Sequence, residues 1–170
     1  MEQNLQRIDA LGKLRKEENE HFRNLVRGKN AHKVDLLVQK LNKEIAPKID
    51  CTACGNCCRG LSPYLNKGDI KRLGEGLNLS AEQVVKRYTE TDSSGVSFKH
   101  MPCKFLKENK CTVYQHRPDV CMSFPHLHKD GFITRSRRVF DNYGLCPIVF
   151  NVIEKMKQEM KFKFHQPDEG

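Results

Sequence analysis

The chain has 170 residues, a net charge of +9, 38% hydrophobic residues, no tryptophan and eight cysteines. That length suits one compact domain with an appendage, and no apolar run approaches the roughly 20 residues needed to span a bilayer. The positive charge is spread along the chain rather than gathered into a basic arm, so nucleic acid is not an expected partner and no membrane is expected either.

The first residues lack the apolar stretch of a signal peptide, which points to the cytoplasm, where thiols stay reduced. Leu5, Ile8, Leu11 and Leu14, resumed by Phe22, Leu25 and Val26, predict a helix over 2–27 with a wholly polar middle, ended by Gly28. Val34, Leu37, Val38, Leu41 and Ile45 predict a second helix over 31–45, stopped by Pro47. Together these form an N-terminal helical hairpin, residues 1–48, packed in the ordinary way through its apolar stripes.

Next comes Cys51-Thr52-Ala53-Cys54-Gly55-Asn56-Cys57-Cys58, four cysteines in eight residues. A C-x2-C pair closes a tight turn and aims two sulfurs at one point, within reach of a metal at about 2.3 Å. Gly55 suits a turn that needs positive φ. Downstream, Asn66 and Asp69 resemble a helix start, with Gly74 and Gly76 at its end, and Ser80 with Gln83 forms a capping box opening a helix to about Glu90. Thr91–Gly95 reads as a polar loop and Val96–Lys99 as a weak strand. Cys103–Leu106 and Cys111–Tyr114 predict a hairpin around Lys107–Lys110. Arg117-Pro118 opens a short helical turn that delivers Cys121. Ser123–His128 and Phe132–Arg138, around Lys129-Asp130-Gly131, predict a second hairpin. Cys146-Pro147 opens the last helix, with Ile148, Val149, Val152, Ile153, Met156 and Met160 on its apolar face. The expected fold is therefore α+β and mostly helical: a small cysteine-rich, metal-centred domain over 49–164 with short β-hairpins, and a polar, frayed tail at 165–170.

Four thiolates complete one zinc site or one four-iron cluster, and eight could complete two. The candidate metal ligands are Cys51, Cys54, Cys57, Cys58, Cys103, Cys111, Cys121 and Cys146. Four disulfides are the competing pattern, which the compartment and the adjacent Cys57-Cys58 disfavour. Successive side chains usually point apart. Cys57 and Cys58 therefore either feed two adjoining sites, or one ligates while the other is packed or reactive. Cys146 fits a helix cap before Pro147, where free N–H groups favour a thiolate, and is expected to return to the Cys51–Cys58 turn.

Among other residues, Arg117 is a candidate to offset thiolate charge or hold an anionic ligand, against a structural tie to carbonyls. Tyr114 stands with it as a cofactor-binding candidate, against a packed aromatic. His126 and His128 would share a strand face, as a metal pair could use, though a solvated hairpin tip is the simpler reading. Arg135, Arg137 and Arg138 read as a solvated strand face rather than a phosphate contact.

The run Cys51-x2-Cys54-x2-Cys57-Cys58, Pro102-Cys103-x-Phe105-Leu106, Cys111-x2-Tyr114, Arg117-Pro118-x2-Cys121-x2-Phe124-Pro125 and Cys146-Pro147 resembles the YkgJ-type cysteine-cluster family, also called the CxxCxxCC zinc- or iron-chelating domain. The resemblance covers about 50–150 and every cysteine. It implies metal chelation and leaves zinc and iron open. Some family members are called iron–sulfur oxidoreductases, and a related cluster occurs in flagellin lysine methylases, whose methyl-donor glycine motif this chain lacks. The expectation is an iron–sulfur cluster of the 4Fe-4S type, or zinc, serving electron transfer or redox sensing with a protein partner. The alternatives are a structural zinc module that binds a partner, and metal-dependent modification of a partner protein.

Overall fold

The computed structural model describes residues 1–164; the tail expected at 165–170 lies outside them. The described chain is mostly helical, with short antiparallel strands, and folds as two compact units. One unit runs from Met1 to Ile49 and resumes at Pro125, and the other is Asp50–Phe124.

The first unit is all helical. Helices α1 (Leu5–Leu14) and α2 (Lys16–Arg27) fall where one helix was expected, because the chain breaks at Arg15 (φ −95°, ψ 21°). Helix α3 (Ala31–Ile45) starts at Asn30, whose side chain accepts the N–H of Lys33, and a single 3-10 turn carries Pro47. Ile8, Phe22, Val26, Val38 and Leu41 are buried from these helices, as are Val149, Val152, Ile153 and Met156 from the last helix (Pro147–Glu159), which packs on α3 and α1.

The same unit corrects the expected hairpin around Asp130-Gly131. Phe132–Asp141 is a helix, and His126 and His128 lie in the irregular stretch before it, not on a strand face. Buried Phe132, Ser136 and Val139 recur at helical spacing. Gly131 (φ +76°) is the cap rather than a hairpin residue, and Asp35 of α3 accepts the N–H groups of Gly131 and Phe132 at 2.9 and 2.8 Å. A carboxylate supplied from another helix thus satisfies the exposed amides of this N-terminus. Arg135 donates to the carbonyls of His126, Lys129 and Asp130.

The second unit, Asp50–Phe124, carries all five strands among the described residues. Two one-turn helices, α4 (Cys51–Cys54) and α5 (Asn56–Gly60), lead to strand β1 (Tyr64–Leu65). Helices α6 (Lys67–Leu77) and α7 (Ala81–Tyr88) follow, each opened by a full capping box, Asn66 with Asp69 and Ser80 with Gln83. Strands β2 (Thr89–Asp92) and β3 (Gly95–Phe98) form a hairpin, so part of the expected loop is strand, and the sheet order is β1-β3-β2. A smaller hairpin, β4 (Leu106–Lys107) and β5 (Lys110–Cys111), turns at Glu108 and Asn109, both with positive φ. A 3-10 turn at Tyr114–His116 and helix α8 (Asp119–Ser123) complete the unit, leaving α9 (Phe132–Asp141) and α10 (Pro147–Glu159) to the first.

Gly74 and Gly76 do not end α6, which runs through both to an αL cap at Asn78 (φ 54°). They serve close approach instead: a Cβ at Gly74 would stand 2.6 Å from the Leu79 carbonyl oxygen, and one at Gly76 would stand 2.5 Å from the His116 ring.

Candidate metal centre

Seven of the eight cysteines lie in the second unit, and all eight are thiols. Cys51 and Cys54 occupy the first and last positions of α4, so one helical turn brings them to the same face. Asp50 caps this turn by accepting the N–H of Thr52 at 2.8 Å. Gly55 then takes an αL conformation (φ +59°, ψ 6°), as the sequence required, and redirects the chain into α5 with Cys57 and Cys58. A side chain at Gly55 would also collide with the β4–β5 turn, since its Cβ would lie 3.0 Å from the Asn109 carbonyl oxygen. Arg59 bridges the same two segments, donating to the Cys54 carbonyl at 3.0 Å and to the Asn109 side chain.

Cys103 reaches this turn through a long-range backbone bond. The N–H of Cys103 donates to the carbonyl of Cys58 at 2.8 Å. Cys111 sits opposite Leu106 in the small hairpin. Cys103 and Cys111 pack against the apolar cluster of Leu65, Ile70, Leu73, Val84, Phe98, Phe105 and Val113. Cys121 rides on α8, whose first N–H, that of Asp119, donates to buried Asp69 at 2.8 Å. Arg72 pairs with both Asp69 and Asp119 and donates to the Arg117 carbonyl. Asp69, Arg72, Asp119 and Arg59 therefore hold the cysteine-bearing segments in place. Sequence reading missed them because the only local signal was the capping box of Asn66 and Asp69.

The thiols feel one another. A hydrogen bond with Cys57 first, then the charges of Arg59 and Arg117, lower the Cys58 thiol from 9.0 to about 7 against the opposing effect of burial. Burial pushes Cys103 up, with Cys58 and Cys111 adding to it, while the backbone N–H of Phe105 bonds the sulfur and opposes the rise. Cys111 is also raised by burial, opposed by the N–H of Val113 and by Arg117. Cys121 is pushed up to about 12, mainly by burial, then by Cys58, Cys103, Cys111 and Asp69. Cys51 is raised by burial, then by Cys54 and Asp50.

Arg117 lies flat over the Tyr114 ring, 3.5 Å from its centre, and donates to the Tyr114 carbonyl at 3.1 Å. Its charge still reaches Cys51, Cys58 and Cys111. It is thus both a local tie and a counter-charge to thiolates. Cys146 belongs to the other unit, where it is buried at the N-cap of α10 with Pro147 as the first helical residue, the cap position its sequence predicted.

The donor chemistry suits a soft metal or an iron–sulfur centre: reduced thiols, backbone N–H groups aimed at two sulfurs, and a guanidinium beside them. Among the described residues, no group of three or more His, Cys, Asp or Glu side chains is arranged to hold a metal ion as it stands.

A family model for CxxCxxCC, described as a "putative zinc- or iron-chelating domain", matches residues 50–140. No curated protein and no solved structure matches the chain. No helix among the described residues is long and apolar enough to cross a membrane.

Proposed function

The chain belongs to the CxxCxxCC family, whose description supports metal binding, and we propose that the Asp50–Phe124 unit holds an iron–sulfur cluster of the four-iron type in a cytoplasmic redox protein. The observation that carries this reading is that seven reduced thiols lie in this one unit, with the Cys103 N–H donating to the Cys58 carbonyl at 2.8 Å and so joining the cysteine run to the small hairpin. Once bound, the cluster would supply one-electron chemistry at a potential set by the surrounding charge and hydrogen bonds.

The chain's own residues would do the rest. Cys57 donates a hydrogen bond to Cys58, and the backbone N–H groups of Phe105 and Val113 bond Cys103 and Cys111, each favouring a thiolate. Arg117, held on Tyr114, offsets part of the negative charge. The apolar cluster behind Cys103 and Cys111 keeps water from one side. A protein partner that gives or takes single electrons is the matching partner class. The family description also names zinc, and a four-thiolate zinc site would make the unit a structural module for partner binding.

Anaerobic purification tests these readings, with visible absorbance and counts of iron, sulfide and zinc per chain. Iron and sulfide in equal amounts with visible absorbance support the cluster. Colourless protein with stoichiometric zinc supports the module. Neither metal, after reconstitution with iron and sulfide or with zinc, overturns both.

A further inference from the structure

We propose that the outer face of α3 is a docking seam for one acidic α-helix of another protein. No cysteine takes part, so the seam stands or falls apart from the metal centre.

Helix α3 carries two stripes. Val34, Val38, Leu41 and Ile45 turn inward and are buried. Lys33, Leu36, Lys40 and Lys43 lie roughly opposite, at steps of three, four and three residues, and all four are exposed. Steps of three and four place side chains in one row along a helix, the row by which two helices pack lengthwise. With ten residues of rise, the row is about 15 Å long. Leu36, inside the row, is 53% exposed, so the lysines frame an apolar side chain that the fold leaves uncovered.

Counter-charge is missing from this row. Among the described residues, no carboxylate lies within ion-pair distance of Lys33, Lys40 or Lys43. Elsewhere in the same unit, Arg7 pairs with Glu2, Lys13 with Asp9 and Arg23 with Glu20. Of the two acidic residues on α3, Asp35 is buried and accepts the N–H groups of Gly131 and Phe132, and Glu44 is exposed at the edge of the row.

The occupant follows from this pattern. Three lysines around one exposed leucine complement a helix that presents carboxylates around one apolar residue. A second copy of this chain is disfavoured, since lysine would face lysine across the row. A lipid surface takes up a broad apolar face rather than a single leucine, and a phosphate backbone offers Leu36 no apolar counterpart.

The test uses the full chain and a fluorescent synthetic peptide of about three heptads, with glutamate at its a and d positions and one leucine at the central d position. Binding is read by fluorescence anisotropy at low ionic strength. The parent is expected to bind, K33E/K40E/K43E to bind at least about tenfold more weakly, and L36S about threefold more weakly. K67E/K71E/K86E makes the same change of charge on exposed lysines of the second unit, and is expected to match the parent within about twofold. Circular dichroism checks each variant, and K33Q/K40Q/K43Q carries the same test where the reversal disturbs the fold. The proposal is overturned by equal weakening in both triple reversals, or by a parent that does not bind the peptide. It is also overturned if phosphatidylglycerol vesicles or duplex DNA bind more tightly than the peptide with the same dependence on Lys33, Lys40 and Lys43, or if the parent self-associates and L36S does not.

Discussion

The carboxylate of Asp69, in the first turn of α6, accepts the backbone N–H of Asp119, the first residue of α8, at 2.8 Å. The same carboxylate closes the capping box with Asn66 and pairs with Arg72. With its side chain only 2% exposed, one buried group holds the helix that carries Cys121 to the rest of the unit.

Asp69→Ala leaves the N–H groups of Asn66 and Asp119 without their carboxylate and leaves Arg72 paired with Asp119 but no longer with residue 69. The expected cost is about 2 kcal/mol, because loss of one partner strands sheltered backbone donors. Urea denaturation checks it. Asp69→Asn keeps an acceptor for Asp119 and loses the charge, so it is expected to fall between Ala and the parent.

Gly55→Ala is expected to cost more than Gly131→Ala. Both glycines have positive φ, +59° and +76°, but a Cβ at Gly131 meets nothing within 4 Å while one at Gly55 stands 3.0 Å from backbone oxygen. Backbone strain alone is worth about 1–2 kcal/mol for a non-glycine residue in this region. Gly55→Ala adds displacement of the β4–β5 turn, so it is expected to lower metal uptake as well as melting temperature. Equal costs for the two variants would contradict the close contact at Gly55.

The metal-free protein has a pH signature. The Cys58 thiol is held near 7, below its ordinary value of 9.0, while Cys121 is pushed up to about 12. Iodoacetamide labelling followed by mass spectrometry is expected to show Cys58 reacting with a midpoint near 7 and Cys121 silent through neutral pH, since the thiolate is the nucleophile. For stability the sign follows from the lowered value. The ionised Cys58 contributes above its unfolded-state pKa, and that contribution is lost as pH falls through about 7.

Lys157→Met tests the first unit. Lys157 is 6% exposed and pairs with Glu18 at 2.7 Å and Glu154 at 2.9 Å, while Tyr143 donates to Glu154 at 2.7 Å. Burial pushes the Glu154 carboxyl up, but hydrogen bonds and charge from Lys157, with help from Tyr143 and Arg15, hold it below the ordinary value. Removing the cation leaves the two sheltered carboxylates to Arg15 and, for Glu154, Tyr143, at an expected cost of about 2 kcal/mol. The loss is expected to be smaller at acidic pH, where Glu154 takes up a proton, and denaturation at two pH values measures the difference.

Metal removal is expected to separate the two units. The first buries Ile8, Phe22, Leu41, Phe132, Ile153 and Met156 completely, whereas the apolar cluster of the second is small and joined to Cys103 and Cys111. Chelation should therefore raise amide exchange in residues 50–124 and leave α3 and α10 protected, because a metal site in a small core carries part of the folding free energy. Equal loss of protection in both units would show that they do not respond independently.

Local signals were legible. The capping boxes at Asn66 and Ser80, the αL turn at Gly55, the Glu108–Asn109 hairpin and the Pro147 helix start all arise from contacts within a few residues. Phe132–Asp141 failed for the opposite reason. Its start is satisfied by Asp35, nearly a hundred residues earlier, so Asp130-Gly131 looked like a hairpin when read alone. Gly74 and Gly76 failed similarly, since the Leu79 carbonyl and His116 ring that exclude a side chain are visible only once the chain has folded.

The sequence by itself determined the chemistry of the site: eight thiols, a glycine that turns four of them tightly, and an arginine near the last of the second unit's cysteines. Only the tertiary structure decided which cysteine-bearing segments are joined. Residue spacing says nothing of the Cys103–Cys58 backbone bond, the Leu106–Cys111 register or the Asp69–Asp119 bond, which tie the segments that carry the downstream cysteines into one unit. Those bonds span up to fifty positions, and a hydrogen bond between distant segments depends on how the intervening chain packs, which no local pattern encodes.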